Sequence, residues 1–263
     1  MKKFWVLNTF QPNLRKVLSE NMGGVNLPSS KISHQLDSKK VAISLLSIAF
    51  VLIILNIIAL TFRVAYGHPH VYGFVPMFDL NQEANIPTLF ATLLHLFSGF
   101  CLYTIYKAKQ QANDLSANKW RYLAFIFFYV GTDECVSLHE LSMAPVRNLV
   151  DAEGLLYFAW VIPAAIILLA LGLYFLKFFL SLPMRTKKLF FISASVFIGG
   201  ALGVELPEGW WFERYGKDNF GYSFFTTLEE SMEMTGSICF VYALLDYISE
   251  HSPEINLSIT SNR

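Results

Sequence analysis

Three short stretches of this chain put acids where apolar sequence surrounds them. GTDECVSLHE holds Asp133, Glu134, His139 and Glu140; GVELPEG holds Glu205 and Glu208; LEESMEMTG holds Glu229, Glu230 and Glu233. A lone imidazole, His95, sits in a fourth apolar stretch. Carboxylates and imidazole without thiolates in register suit iron, manganese or another oxygen-loving divalent ion better than structural zinc. The candidate ligands are Asp133, His139, Glu140, Glu205, Glu229, Glu233 and His95. A metal held there would activate water or oxygen against a lipid-like substrate. Carboxylate sites in four-helix bundles use a Glu-x-x-His pair, which this chain lacks, so the likeness to them is one of composition.

Helical geometry brings several of these groups together. At 100° per residue, Asp133, Ser137 and Glu140 lie within about 60° of one another, while His139 points the opposite way unless the helix breaks there. Glu229, Glu230 and Glu233 are spaced by three and four, so they share roughly a 100° arc of another helix. Measured from the basic or polar cytoplasmic ends of their spans, Asp133 and His95 both lie roughly 18 Å deep, with Glu233 at roughly 21 Å. Pro207 is expected to stop the helix at Glu205.

An ionised group in hydrocarbon costs about 2.5 to 3.5 kcal/mol even on a mild insertion scale, so these faces should turn inward. Once there, the carboxylates must bind a cation, stay protonated, or pair with Arg and His. Three classes of function follow: a metal-dependent membrane enzyme, a non-enzymatic subunit or binding protein whose acids fix helix packing, and a proton or cation transporter. A transporter needs a relay that continues inward, and below Asp133 and His95 the spans are apolar until Asp246.

Other polar residues carry structural readings. His95 alone on an apolar helix is ordinarily a hydrogen-bonded packing residue. His68 and His70 in GHPHVYG have the spacing of a loop chelate, or else belong to a surface loop. Asn56 and Ser98 suit interhelical hydrogen bonds, and Gly199, Gly200 and Gly203 suit close helix contact. Asp246 lies near enough to a helix end to reach water. Cys101, Cys135 and Cys239, odd in number and far apart, form neither a disulfide framework nor a zinc spacing, and read as small packing residues.

The elements that must position these groups are membrane helices. Of 263 residues 54% are hydrophobic and only 15% charged, and 20 basic residues balance 20 acidic ones. Such a composition departs from that of soluble domains and offers no basic field for nucleic acid. The fold class is therefore all-α, a polytopic bundle whose main partner is membrane lipid. Six apolar segments are long enough to cross a hydrocarbon layer of about 30 Å: 41–62, 87–106, 120–140, 155–177, 188–206 and 226–248. Residues 1–40 form a polar cytosolic arm, 41–250 the transmembrane domain and 251–263 a cytosolic tail. With both termini inside, cytoplasmic segments hold 16 basic residues and the outer side only Arg63, Arg147, Arg214 and Lys217. Fourteen of the 20 acids then fall on the outer side, against those four basic residues.

The stretches FDLNQEANIPTLF, DECVSLHE and EESMEM together resemble an uncharacterised group of bacterial multispan membrane proteins with acidic DE...HE and EE..E motifs. The resemblance covers about spans two to six. It implies a multi-pass protein of the bacterial inner membrane in which the acidic motifs matter, and it implies no reaction.

Overall fold

The structure is a computed structural model and describes residues 37–251; the expected arm and tail lie outside them, apart from residues 37–40 and 251. Among the described residues every regular element is helical. Helix α1 (Ser38–Leu60) starts where the Asp37 carboxylate accepts from the backbone N–H groups of Lys39 and Lys40, and its last turn widens into a π-helical turn, Thr61–Ala65. A short α2 (Phe74–Phe78) follows. Helix α3 (Ile86–Gln111) is capped by the Asn85 side chain and carries Pro87 in its first turn, where no backbone donor is needed. Then come α4 (Ala117–Val136), α5 (Met143–Val150), α6 (Val161–Ser181), α7 (Met184–Ile198), α8 (Glu205–Tyr215) and α9 (Phe220–His251).

Four helical stretches are long and apolar enough to cross a membrane: Ser38–Ala65, Ile86–Gln111, Val161–Ser181 and Met184–Tyr215. They mark the chain as a membrane protein. Two of the six expected spans fall outside this set for a physical reason. Helix α4 carries Lys119, Arg121, Asp133 and Glu134, and α9 carries Glu229, Glu230, Glu233, Asp246 and Glu250. Helix α9 is instead the element around which the others gather, packing on α7, α1, α3 and α8, while α4 lies along α3. Apolar side chains on α1 and α6 such as Phe50, Val51, Ile166 and Leu169 are left exposed, the pattern of a surface wetted by lipid.

The two ends of the bundle differ. One end is closed by aromatic and aliphatic packing. Trp120, fully buried, meets Phe178 edge-on at 5.1 Å and Tyr247 at 4.9 Å, and Phe127 stacks on Phe240 at 4.5 Å. Beside them Arg185 grips Asp246 through two hydrogen bonds of 2.8 and 2.7 Å. Asp246 is thus buried and paired rather than open to water. The other end holds the acids.

Several expectations about helix boundaries are corrected. Helix α4 stops at Val136, because Ser137 takes a left-handed conformation with φ of 52°, so His139 and Glu140 leave the helix. The fourth apolar stretch opens on a 3-10 turn, Gly154–Leu156, and becomes α-helical only at Val161. Pro207 does not end its helix. A π-helical turn, Gly199–Val204, precedes α8 and leaves the carbonyl register loose where proline brings no N–H, so the chain stays helical to Tyr215. Of the cysteines only Cys101 is buried; Cys135 is exposed and Cys239 half-buried.

Candidate acidic centre

The acidic end is built on a turn that takes one basic residue out of play. The π-helical turn of α1 presents Arg63, which pairs with the fully buried Asp79 and also donates to Ser223 Oγ on α9 at 3.3 Å. Asn56 acts as the expected interhelical link: its amide donates to Thr227 Oγ1 at 2.9 Å and its carbonyl accepts from Leu80 N at 3.0 Å. Asn85 donates to the Asp79 carbonyl at 2.7 Å. These bonds fix residues 79–85 against α1 and α9, and the turn carries Glu83 toward the acids of α4. Burial is the chief influence on the Glu83 carboxyl, and with neighbouring Glu140 and Asp133 it raises the pKa above the usual range; the hydroxyl of Ser137 opposes the shift.

The break at Ser137 does what an unbroken helix would forbid. It swings His139 back over the end of α4, where its backbone N–H donates to Asp133 Oδ1 at 2.8 Å and its Nδ1 lies 3.0 Å from Asp133 Oδ2. His139 also packs on Trp160 at 4.6 Å between ring centroids and lies within electrostatic reach of Glu140 and Glu205.

Trp160, the residue before α6, donates its indole N–H to Glu205 Oε1 at 2.8 Å. Glu205 opens α8, and Glu208 lies one turn later on the same helix. The Glu229 carboxyl on α9 lies beside those of Glu205 and Glu208, and all three glutamates are buried. Glycine makes this approach available, since a Cβ at Gly200 would stand 2.8 Å from the Glu229 carbonyl oxygen and 3.0 Å from Met232 Cβ. Gly199 meets the Met232 side chain in the same way, whereas Gly203 faces open space. Tyr222 donates to Asn81 Oδ1 at 3.1 Å and lies beside Glu208, tying the turn at residues 79–85 to the buried glutamates. Glu208 Oε2 is buried without a hydrogen-bond partner.

Glu230 and Glu233 complete the centre. They are half-buried and lie within electrostatic reach of each other, of Glu134 on α4 and of Glu83 and Glu208. Nine acids drawn from a turn, two helix ends and the middle of α9 thus share one end of the bundle. Of the described cations Arg63 is held by Asp79, Arg147 lies over Tyr157 and Arg214 over Trp210. Only His139 pairs with a member of the centre.

Most of the residues proposed from sequence meet here. Glu205 and Glu229 are in direct reach, Asp133 and His139 form a pair, and Glu140 and Glu233 lie at the margins facing these groups. His95 stands apart: its Nε2 bonds Ser237 Oγ at 3.1 Å and its ring packs between Phe127 and Phe197. Ser98, expected to link helices, is buried with no such partner among the described residues. His68 and His70 are exposed. Sequence reasoning left out Glu83, Glu134, Glu208, Glu230 and Trp160 as site residues. Glu230 was legible from its spacing to Glu233, but Trp160 and Glu83 lie in connections whose path no periodicity reports. Among the described residues no three His, Cys, Asp or Glu side chains surround one point as a preformed metal sphere.

Fold and site together define a helical membrane protein with a buried acidic centre. Residues 45–248 match the family described as "Domain of unknown function (DUF8692)", and the chain belongs to that family. No curated protein and no solved structure matches it.

Proposed function

We propose that this is a membrane-embedded, metal-dependent enzyme acting on a lipid-like substrate, with six spans formed by α1, α3, α4, α6, α7 with α8, and α9. The basic residues gathered at one side support an inner-membrane orientation with both termini cytoplasmic and the acidic centre outward. The observation that carries the reading is Glu229 lying beside Glu205 and Glu208, all three buried, with Glu208 Oε2 unpartnered and no salt bridge from Lys or Arg to any of them among the described residues. Buried carboxylates side by side are held by a cation or by shared protons, and if a cation holds them an oxygen-rich set favours iron, manganese or another hard divalent ion. Glu205, Glu208 and Glu229 would hold it by drawing closer than they stand here, since no three such groups already surround one point among the described residues, with Asp133 and His139 on the adjoining wall. Bound metal would supply Lewis-acid or activated-water chemistry. Trp160 fixes one Glu205 oxygen, and the Asp133–His139 pair stands ready to hold or pass a proton.

A second reading has its own support. Because no three ligating groups are already arranged about one point, the glutamates are equally explained as carboxyl–carboxylate pairs that share protons and lock α8 to α9. The protein would then be a structural or binding subunit. Elemental analysis of the detergent-purified protein separates the two: about one or more bound transition-metal ions per chain supports the enzyme, and a metal-free, fully folded protein supports the subunit.

A further inference from the structure

The connection from Ser137 to Trp160 is not simply a loop. It contains α5, and the apolar members among its exposed residues follow a pattern: Leu141, Pro145 and Leu149 recur every four residues and all stand exposed, Leu141 at 73% and Leu149 at 83%, with Glu140, Asn148, Asp151 and Glu153 exposed beside them. Val150 and Leu155 extend the patch. On the other side of α5, Met143, Val146 and Arg147 are half-buried, and the Arg147 Nε–H donates to the Tyr157 carbonyl at 2.8 Å. An amphipathic segment with leucines outward would be a liability in water.

Its position says what covers it. Helix α6, apolar enough to cross the membrane, starts at Val161, immediately after the segment, so the segment lies at the membrane surface. An aromatic cluster stands at the same level. Tyr157 and Phe158 each meet Phe212 at 5.4 Å, and Trp211 meets Tyr215 at 4.8 Å. Aromatic residues of this kind gather at the boundary between hydrocarbon and water.

We infer that residues 137–160 form an interfacial flap whose occupant partner is the lipid surface of the outer leaflet, with Leu141, Leu149 and Leu155 inserted among the head groups and first acyl carbons. Amphipathic segments of this type sink about 5–10 Å into that region. The flap begins at the Asp133–His139 pair and ends at the Trp160–Glu205 hydrogen bond, so both of its hinges are acidic-centre contacts. Lipid contact by the flap is therefore mechanically joined to the centre. The inference rests on α6 crossing the membrane and, for the outer leaflet, on the orientation proposed above; it does not depend on the centre holding a metal.

The test is photo-crosslinking of the full chain in nanodiscs of phosphatidylcholine and phosphatidylglycerol, with p-benzoylphenylalanine placed singly at Leu149, Leu155 or Asp218. Correct folding of each variant is checked by its elution as a single species. Phospholipid adducts at 149 and 155, with at least tenfold less at the exposed turn position 218, are expected. Adducts no more frequent at 149 and 155 than at 218 would overturn the inference, as would crosslinks from 149 to a second copy of this chain. Metal content measured on the same samples reports separately on the enzyme reading.

Discussion

His139 lies over Asp133, six residues earlier in the chain, and binds the carboxylate twice: by its backbone N–H at 2.8 Å and by its ring nitrogen at 3.0 Å. The left-handed Ser137 between them makes this contact possible, since an unbroken helix would turn the two side chains apart. One residue thus converts an acidic helix face into the start of a cap over the buried glutamates.

Replacing Asp133 with alanine removes both acceptors at once. With the imidazole partly solvated, the expected loss is about 1–2 kcal/mol, seen as a lower melting temperature. Amide exchange should quicken over residues 137–160 and stay unchanged in α1. Uniform faster exchange throughout the bundle would show that Asp133 holds the fold rather than the cap.

Helix contact at the centre depends on a missing side chain. Gly200→Ala places a Cβ 2.8 Å from the Glu229 carbonyl oxygen, so α7 and α9 must separate, at a cost of about 1–3 kcal/mol. Gly203→Ala meets nothing within 4 Å and should be neutral or slightly stabilising, because alanine favours helix. Thermal unfolding of the two variants in parallel checks the contrast; equal melting temperatures would contradict the packing described.

Glu83 gives the pH dependence a sign. Its carboxyl is raised above the ordinary value of 4.5, first by burial and then by Glu140 and Asp133. The folded protein therefore holds this proton more tightly than the unfolded chain. The stability it contributes is fully present below pH 4.5 and is lost as the pH rises through the raised folded value. Glu83→Gln should flatten that part of the stability profile, and infrared difference spectra between wild type and variant should place the carboxyl titration above 4.5. A midpoint at or below 4.5 would contradict it.

What could be read from the residues alone divides along physical lines. Spacing on a regular helix is periodic, so the acidic faces of α4 and α9 and the interhelical roles of Asn56 and Gly200 were legible. Hydropathy alone could not tell a helix that meets lipid from one that meets protein: α9, rich in glutamate, is the helix the others surround. Departures from regular geometry were hidden. The helix continuing through Pro207 depends on a π-helical turn six residues long, and the return of His139 depends on a single positive φ. Glu83 and Trp160 come to the centre on connections, whose course is set by tertiary bonds such as Arg63 to Asp79.

The central claim is that a cation, rather than shared protons, holds Glu229 between Glu205 and Glu208. Metal content and melting temperature of wild type and Glu229→Gln, with the exposed Asp218→Asn as control, test it most directly. The amide keeps the volume of the side chain and removes one anionic ligand. Metal should be present in wild type and in Asp218→Asn, fall at least tenfold in Glu229→Gln, and the variant should melt at lower temperature. A metal-free wild type, with Glu229→Gln as stable or more stable, would contradict the claim and leave shared protons as the bond between α8 and α9.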